Sequence, residues 1–193
     1  MLTLDNYIAG LTKALNGIDR KAFDALVAEV TRAHKEDKFI YTCGNGGSAS
    51  TASHMINDIV KAPNDASGCR PIRAIGLTDC TPLMTALAND ISYDQMFARQ
   101  LNAWGREGDL LIAISGSGNS PNILEAIKLA KQRGMRTVGM TGYSGGKMAE
   151  MVDVHLHVPC NCMAQVEDAH LILQHCLVEV LKIVNGGKSP ATI

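Results

Sequence analysis

Two stretches rich in glycine and serine carry the clearest chemical potential in this chain. The first is Gly44-Asn45-Gly46-Gly47-Ser48, which follows an apolar run, and the second is "ISGSGNSPN" at 114–122. Glycines let bare backbone approach a ligand, hydroxyls donate hydrogen bonds, and the first amides of a following helix lack partners. Both stretches are therefore predicted to bind an anion such as a phosphate.

The serines of these stretches also suit a purely structural role. Ser120 followed by Pro121 makes a good helix N-cap with proline at the first helical position, and Ser48 suits a cap as well. Because each stretch follows a predicted strand, we favour the phosphate interpretation over two coincidental caps. Neither has the Gly-Lys-Ser/Thr ending of a P-loop, and neither matches the dinucleotide fingerprint. A phosphate held by neutral groups indicates a phosphorylated sugar rather than a nucleoside triphosphate.

The elements that must position these loops follow from the apolar pattern. Short apolar runs predict five strands, at 38–43, 71–77, 109–114, 135–140 and 153–158. Helical spacing recurs between them at 48–61, 93–103 and 120–133, and a last helix is predicted over about 164–185. Near-continuous apolar strands separated by helices predict a doubly wound α/β fold with a parallel sheet covered on both faces.

Two more helices are predicted before the first strand, with Asp19 as the N-cap of the second. The chain then has more helices than are needed to cover one face of the sheet, so we expect the apolar stripes of these two helices to contact another subunit. The last helix is apolar on nearly every side from Leu171 onward, which is typical of burial in a core or an oligomer. The predicted organisation is a single domain at 1–193, with N-terminal helices at 1–36, the sheet at 37–185 and a polar tail at 186–193.

Composition narrows the class of protein. The chain has 193 residues and a net charge of −1 with scattered basic residues, which disfavours a nucleic-acid partner. The sequence shows neither a signal peptide pattern nor an apolar run of membrane-spanning length, so we expect a cytoplasmic protein without membrane contact. Its six cysteines are then expected to be reduced packing residues, and the C-x-C of Cys160 and Cys162 matches no common redox or zinc motif.

Four motifs in order, "CGNGGSASTASH", "ALAND", "REGDLLIAISGSGNS" and "TGYSGGKMA", resemble the sugar isomerase (SIS) domain. More closely, they look like phosphoheptose isomerases, and the resemblance covers almost the whole chain. It implies conversion of sedoheptulose 7-phosphate to D-glycero-D-manno-heptose 7-phosphate, a flavodoxin-like five-stranded sheet, and a homotetramer whose active sites lie between subunits.

The resemblance also implies a set of substrate contacts in this sequence. They are Asn45, Gly46, Gly47, Ser48, Asn89, Asp90, Ser115, Gly116, Ser117, Ser120 and Glu167. The chain departs from the family at Gly116, where threonine is usual, so one hydroxyl is lost while the backbone amide remains. We expect weaker phosphate affinity but the same class of ligand.

A metal site is the second feature that the resemblance implies. The family's zinc positions correspond here to His54, Asp58, Glu167 and His175, with one Zn²⁺ or another divalent ion per subunit. Asp58 replaces a glutamate and Glu167 replaces a glutamine, and His54 and Asp58 share one helical face. Glu167 and His175 are about 12 Å apart along one continuous helix. They can share an ion only if the helix starts after Glu167 or if two subunits contribute.

The acid/base pair implied by the resemblance is Asp58 and His175. Shortening the family glutamate to aspartate withdraws the carboxylate by roughly 1.5 Å, and misplacement on that scale can cost on the order of a hundredfold in rate. Three explanations of the shorter side chain are open: the pocket is rebuilt for another sugar phosphate, Glu167 has become the base, or catalysis has been lost.

The alternative function is a non-catalytic SIS module that binds a sugar phosphate or a protein partner, as the family's replication-initiation relative does. His155, His157 and His170 lie outside the pattern and are interpreted as structural.

Overall fold

The structure is a computed structural model that describes residues 3–61 and 71–184. The elements in chain order are α1 Leu4–Asn16, α2 Arg20–Lys35, β1 Ile40–Cys43, α3 Gly47–Lys61, β2 Ala74–Gly76, α4 Thr81–Asp90, α5 Met96–Trp104, β3 Leu110–Ser115, α6 Pro121–Gln132, β4 Arg136–Thr141, β5 Val154–His157 and α7 Met163–Val184. Short 3₁₀ turns lie at Tyr93–Gln95 and Lys147–Glu150. Cys69 and the predicted polar tail at 186–193 lie outside the described residues.

The five strands pair in parallel in the order β2-β1-β3-β4-β5, which confirms the predicted doubly wound, flavodoxin-like α/β fold. The strand order reverses between β1 and β3, whose ends are in register through the Cys43–Ala113 pair. The loops that follow these two strands therefore emerge next to each other. In open α/β sheets this switch point is where ligands bind.

Two apolar cores, one on each face of the sheet, hold the helices in place. On β3 the side chains of Leu110, Ile112 and Ile114 belong to one core, and those of Leu111 and Ala113 belong to the other. The first core receives α1, α2, α3 and α7, and the second receives α5 and α6. This alternation is the two-sided burial that near-continuous apolar strands predict.

The helix boundaries agree with the predictions except around α4. Asp19 caps α2, because its Oδ1 accepts a hydrogen bond of 2.9 Å from the backbone of Lys21. The predicted strand at 71–77 is shorter in the structure, Ala74–Gly76, and lies at the sheet edge. No helix is predicted over α4, whose apolar side chains Met84 and Leu87 are only partly buried against the second core.

Some apolar side chains of α1 and α7 face outward. Leu4 is 73% exposed and Ile8 is 52% exposed on α1, and Ile172 is 42% exposed on α7. In the single chain only the other side of α7, with Leu173 and Leu177, enters the core, so the expected burial of its outer side in an oligomer stays a prediction. Among the described residues, no helix is long and apolar enough to cross a membrane.

His170 anchors α7 to the sheet from inside the core. It is 1% exposed, and its Nε2 lies 3.2 Å from the carbonyl oxygen of Thr141. Its Nδ1 is buried and has no hydrogen-bond partner. Burial lowers the pKa of His170 to about 4. His155 and His157 stack on each other nearby and bond to Thr141 and Tyr143.

The buried imidazole of His170 predicts a loss of stability in acid. Between about pH 6.5 and pH 4 the unfolded chain binds a proton that the folded chain does not, so the free energy of unfolding falls as the pH falls. From pH 7 to pH 5 this group alone accounts for about 2 kcal/mol. Urea unfolding at pH 7 and at pH 5 measures the decrease in the free energy of unfolding, in wild type and in His170→Gln. The glutamine amide keeps a hydrogen-bond donor but does not titrate. An equal fall in both proteins contradicts the prediction.

Candidate active site

An anion cleft lies at the switch point, between the loop after β1 and the loop after β3. Its volume is about 260 Å³, and α7 closes one side. Nine of the predicted substrate contacts line it: Asn45, Gly46, Gly47, Ser48, Ser115, Gly116, Ser117, Ser120 and Glu167. No lysine, arginine or histidine is among the lining residues. The cleft therefore offers neutral donors, as the sequence predicts.

Two helices begin at the anion cleft, α3 at Gly47 and α6 at Pro121. Their first amides lack intrahelical partners, which makes both ends favourable for a negative charge. Ser120 occupies the N-cap position of α6, but its side chain makes no cap hydrogen bond and instead lies 3.1 Å from the hydroxyl of Ser115. Ser48 lies inside the first turn of α3. Ser120 thus holds the predicted N-cap position without a side-chain cap bond, Ser48 is not at a cap position, and both residues line the cleft.

Asn45 connects the two loops with its side chain. Its amide exchanges two hydrogen bonds with the amide of Asn122, at 2.9 and 2.8 Å, and its oxygen accepts a third from Tyr93 at 2.9 Å. These partners could not be predicted from local sequence patterns. These three bonds hold the Asn45 side chain between the two loops. The next residue, Gly46, has a φ of +54°, which favours glycine at this turn.

The structure does not bring Asn89 and Asp90 to the anion cleft. Both are exposed in the last turn of α4, and the Asn89 amide donates a hydrogen bond of 2.8 Å to Asp90. A second cavity of about 490 Å³ separates α4 from α3, and neither residue lines it. Their predicted contact with substrate stays a prediction that the single chain does not support.

Gly116 makes room for Met163, the first residue of α7. A methyl group on Gly116 would lie 2.5 Å from the sulfur of Met163. The space of the family's threonine is thus occupied by a thioether, and Met163 itself lines the anion cleft. The sequence carried no signal for this contact, because the two residues are distant in the chain.

His54, Asp58 and His175 form a compact group between α3 and α7. Oδ2 of Asp58 lies 3.2 Å from Nε2 of His54 and 3.8 Å from Nε2 of His175. The two imidazole rings meet edge to face, with centroids 5.0 Å apart. Gln174 donates a hydrogen bond of 2.7 Å to the same Asp58 oxygen. Sequence reasoning missed Gln174, whose only signal was an amide in an apolar helix.

The donor set of this His–Asp–His group fits a divalent metal ion. One donor atom from each residue lies within 4.8 Å of the others. In a tetrahedral site with metal–ligand bonds near 2.1 Å, neighbouring donor atoms lie about 3.4 Å apart. The distances from Asp58 Oδ2 to the two imidazole nitrogens, 3.2 and 3.8 Å, lie on either side of this value. Two imidazoles and one carboxylate also leave a fourth position open, as catalytic zinc sites do. The side chain of His175 is half exposed, so the group is open to solvent.

Glu167 does not belong to the His–Asp–His group of its own chain. The helix starts at Met163, so Glu167 and His175 lie on one continuous helix, about 12 Å apart along its axis. The option of a helix start after Glu167 is wrong, and the predicted set of four ligands reduces to three within one chain.

Asp168, the residue after Glu167, faces α1. It accepts a hydrogen bond of 2.6 Å from Tyr7 and raises the pKa of the Tyr7 hydroxyl to about 12.

Comparisons with known proteins agree with this fold. The family model described as "SIS domain" matches residues 6–142. The phosphoheptose isomerase of Aromatoleum aromaticum is 43% identical over 72% of this chain and 71% of its own, and that of Halorhodospira halophila is 40% identical over 89% of each chain. The solved phosphoheptose isomerase of Neisseria gonorrhoeae superposes with a TM-score of 0.85 at 33% identity, covering 93% of this chain and 94% of its own. The chain therefore belongs to the SIS domain family, among the phosphoheptose isomerases.

Proposed function

We propose that this protein is an aldose–ketose isomerase that converts sedoheptulose 7-phosphate to D-glycero-D-manno-heptose 7-phosphate. One observation carries the proposal: the anion cleft and the His–Asp–His group lie along the same two helices, α3 and α7. The first suits a phosphate and the second suits proton transfer. The names of the relatives at about 40% identity support the same activity.

The separation of the two parts supports a long substrate. Gly47 at the cleft and His54 in the His–Asp–His group are seven residues apart on α3, which is about 10 Å along the axis. An open-chain heptose 7-phosphate carries its reactive carbons, C1 and C2, at the end opposite the phosphate. Its extended chain can bridge this distance, whereas a triose phosphate is too short.

The proposed chemistry transfers a proton between C1 and C2 through an enediol. A base removes the proton from C1 of the ketose and returns it to C2, while a second proton passes between the two oxygens. We assign the acid/base pair to Asp58 and His175, whose Oδ2 and Nε2 atoms are 3.8 Å apart. His54, Asp58 and His175 would hold Zn²⁺ or another divalent ion, one per subunit. Such an ion supplies Lewis-acid stabilisation of the developing oxyanion.

The proposal includes a homotetramer in the cytoplasm. The outward apolar side chains Leu4 and Ile8 of α1, and Ile172 of α7, support contact with further copies of the chain. Asn89 and Asp90, which stand outside the cleft of their own chain, would then be free to approach a neighbouring site. The cytoplasm is proposed because phosphorylated sugars are charged and stay inside cells.

A non-catalytic SIS module is the second candidate function. The observation that favours it is the altered site, with Met163 in place of the hydroxyl at Gly116 and a carboxylate at Glu167. Such a module would bind a sugar phosphate, or a protein partner, without turning over the sugar. Retention of a compact His–Asp–His group argues for the enzyme instead.

The isomerase predicts turnover that depends on a divalent ion. Purified protein incubated with sedoheptulose 7-phosphate is expected to form the aldose, measured by chromatography of the two sugar phosphates. Dialysis against a chelator should abolish turnover and added Zn²⁺ should restore it, because the ion stabilises the oxyanion. Absence of turnover with zinc, manganese and iron each supplied would exclude the isomerase and leave the non-catalytic module.

Removing one imidazole should separate metal binding from phosphate binding. His54→Ala and His175→Ala are each expected to lower the amount of zinc bound per chain by at least tenfold, because only two of the three protein ligands then remain. Inorganic phosphate should bind both variants as it binds wild type, because the cleft is about 10 Å away. Elemental analysis and calorimetry measure the two quantities, and His157→Ala, outside the group, is the control. Unchanged zinc content in both variants contradicts the proposed metal site.

A further inference from the structure

Gln174 is a buried polar residue that meets the His–Asp–His group from inside the core. It precedes His175 on α7, and neighbouring helical residues point about 100° apart, so the amide is buried while the imidazole is half exposed. Its helical neighbours Leu173 and Leu177 belong to the first apolar core. An amide in such surroundings is unfavourable unless it makes hydrogen bonds. The contacts of Gln174 therefore show what its polarity is for.

The amide donates its hydrogen bond to the one carboxylate oxygen that faces both imidazoles. Nε2 of Gln174 lies 2.7 Å from Oδ2 of Asp58. The same Oδ2 lies 3.2 Å from Nε2 of His54 and 3.8 Å from Nε2 of His175. The other oxygen, Oδ1, accepts a hydrogen bond of 2.9 Å from the amide of Asn57. Both oxygens are thus held, and the carboxylate is kept with Oδ2 toward the imidazoles.

The oxygen of the Gln174 amide makes no comparable contact. Oε1 is buried and has no hydrogen-bond partner in the part of the chain that the structure describes. A buried acceptor without a partner destabilises a fold, and an apolar side chain of the same length would avoid this loss. The donor to Asp58 is therefore the feature of Gln174 that an apolar residue could not supply.

A neutral donor suits a carboxylate that is to bind a cation. A lysine or arginine beside Asp58 would repel the ion, whereas an amide orients the carboxylate without adding charge. Carboxylates that bind metals are commonly held by such outer hydrogen bonds. Asp58 is one methylene shorter than the glutamate that the family resemblance implies, and Gln174 reaches it from the opposite helix. The lengths of the two side chains match each other.

We propose that Gln174 is a positioning residue that holds Oδ2 of Asp58 toward His54 and His175, and so adapts the shorter acid of this chain to a divalent ion. In this role Gln174 acts through Asp58 and contacts neither the ion nor the substrate. The inference rests on the proposed function, since it takes the His–Asp–His group as the metal site.

Replacing the amide with an apolar side chain of similar length tests this role on the full chain. Gln174→Met is expected to bind Zn²⁺ about tenfold to hundredfold more weakly, measured by competition with a chelator. With Co²⁺ in place of Zn²⁺, the visible absorption bands of four-coordinate cobalt should weaken, because the released carboxylate can rotate away or bind through both oxygens. An affinity and a cobalt spectrum equal to those of wild type overturn the proposal.

The matched control is Gln100→Met in the second core. Gln100 is 2% exposed, its Nε2 donates to the carbonyl oxygens of Leu77 and Met96, and its Oε1 also has no partner among the described residues. This variant removes a buried amide of the same kind without touching Asp58. It should leave the zinc affinity and the cobalt spectrum unchanged. Equal losses of zinc affinity in both methionine variants would mean that Gln174 supports the fold and does not position Asp58.

Exchanging the two side-chain lengths provides a second test, which also applies if Gln174→Met does not fold. Gln174→Asn withdraws the amide by roughly 1.5 Å and should weaken zinc binding. Asp58→Glu pushes the carboxylate into the amide and should weaken it as well. Asp58→Glu/Gln174→Asn restores the combined length, so Gln174→Asn should tighten zinc binding about tenfold in the Asp58→Glu background. The same effect of Gln174→Asn in both backgrounds overturns the proposal.

The two proposals fail in different ways. Wild-type protein that binds zinc but does not isomerise sedoheptulose 7-phosphate overturns the enzyme, and weaker zinc binding by Gln174→Met then still supports the role of Gln174. Wild-type protein that isomerises the ketose, while Gln174→Met binds zinc as wild type does, overturns the role of Gln174 alone. Isomerisation by wild-type protein that binds no divalent ion also overturns that role, because Asp58 then has no ion to face.

Discussion

The packing of α3 beside α7 is the constraint on which the rest of the site depends. At one end Gly47 touches Glu167, and at the other Asp58 accepts a hydrogen bond from Gln174. Between these ends the two helices share the apolar core, to which Met55 contributes from α3. A shift of α7 by one residue would move it about 1.5 Å and turn it by about 100°. Both polar contacts would be lost together, so the core sets the distance between the anion cleft and the His–Asp–His group.

The strands and the two loops could be predicted from the sequence because their signals are local. Burial of every residue of β3 leaves an unbroken apolar run, and the glycines and serines of each loop are consecutive. The role of Ser120 was not predictable to the same degree. A cap and a ligand contact need the same residue at the same helix end, and only the structure shows that the Ser120 hydroxyl bonds to Ser115 instead of a helix amide.

The contacts that the sequence did not reveal all join distant parts of the chain. Asn45 and Asn122 are 77 residues apart, and their paired amides arise because β1 and β3 are neighbours in the sheet. The exclusion of Glu167 from the His–Asp–His group depends on where α7 begins, and helix starts are poorly fixed by periodicity. Family resemblance supplied residue positions for Asn89 and Asp90, but not the orientation of α4 relative to the cleft.

Two of the three departures from the family pattern, at 58 and 116, meet a residue of α7. The shorter Asp58 still lies 3.2 Å from His54, and both its oxygens accept hydrogen bonds, one from Gln174 and one from Asn57. The space beside Gly116 is occupied by the sulfur of Met163. Positions 58 and 116 therefore share one neighbour, α7, and the third changed residue, Glu167, lies on that helix. The placement of α7 against α3 and the loop after β3 thus determines the surroundings of all three changed positions.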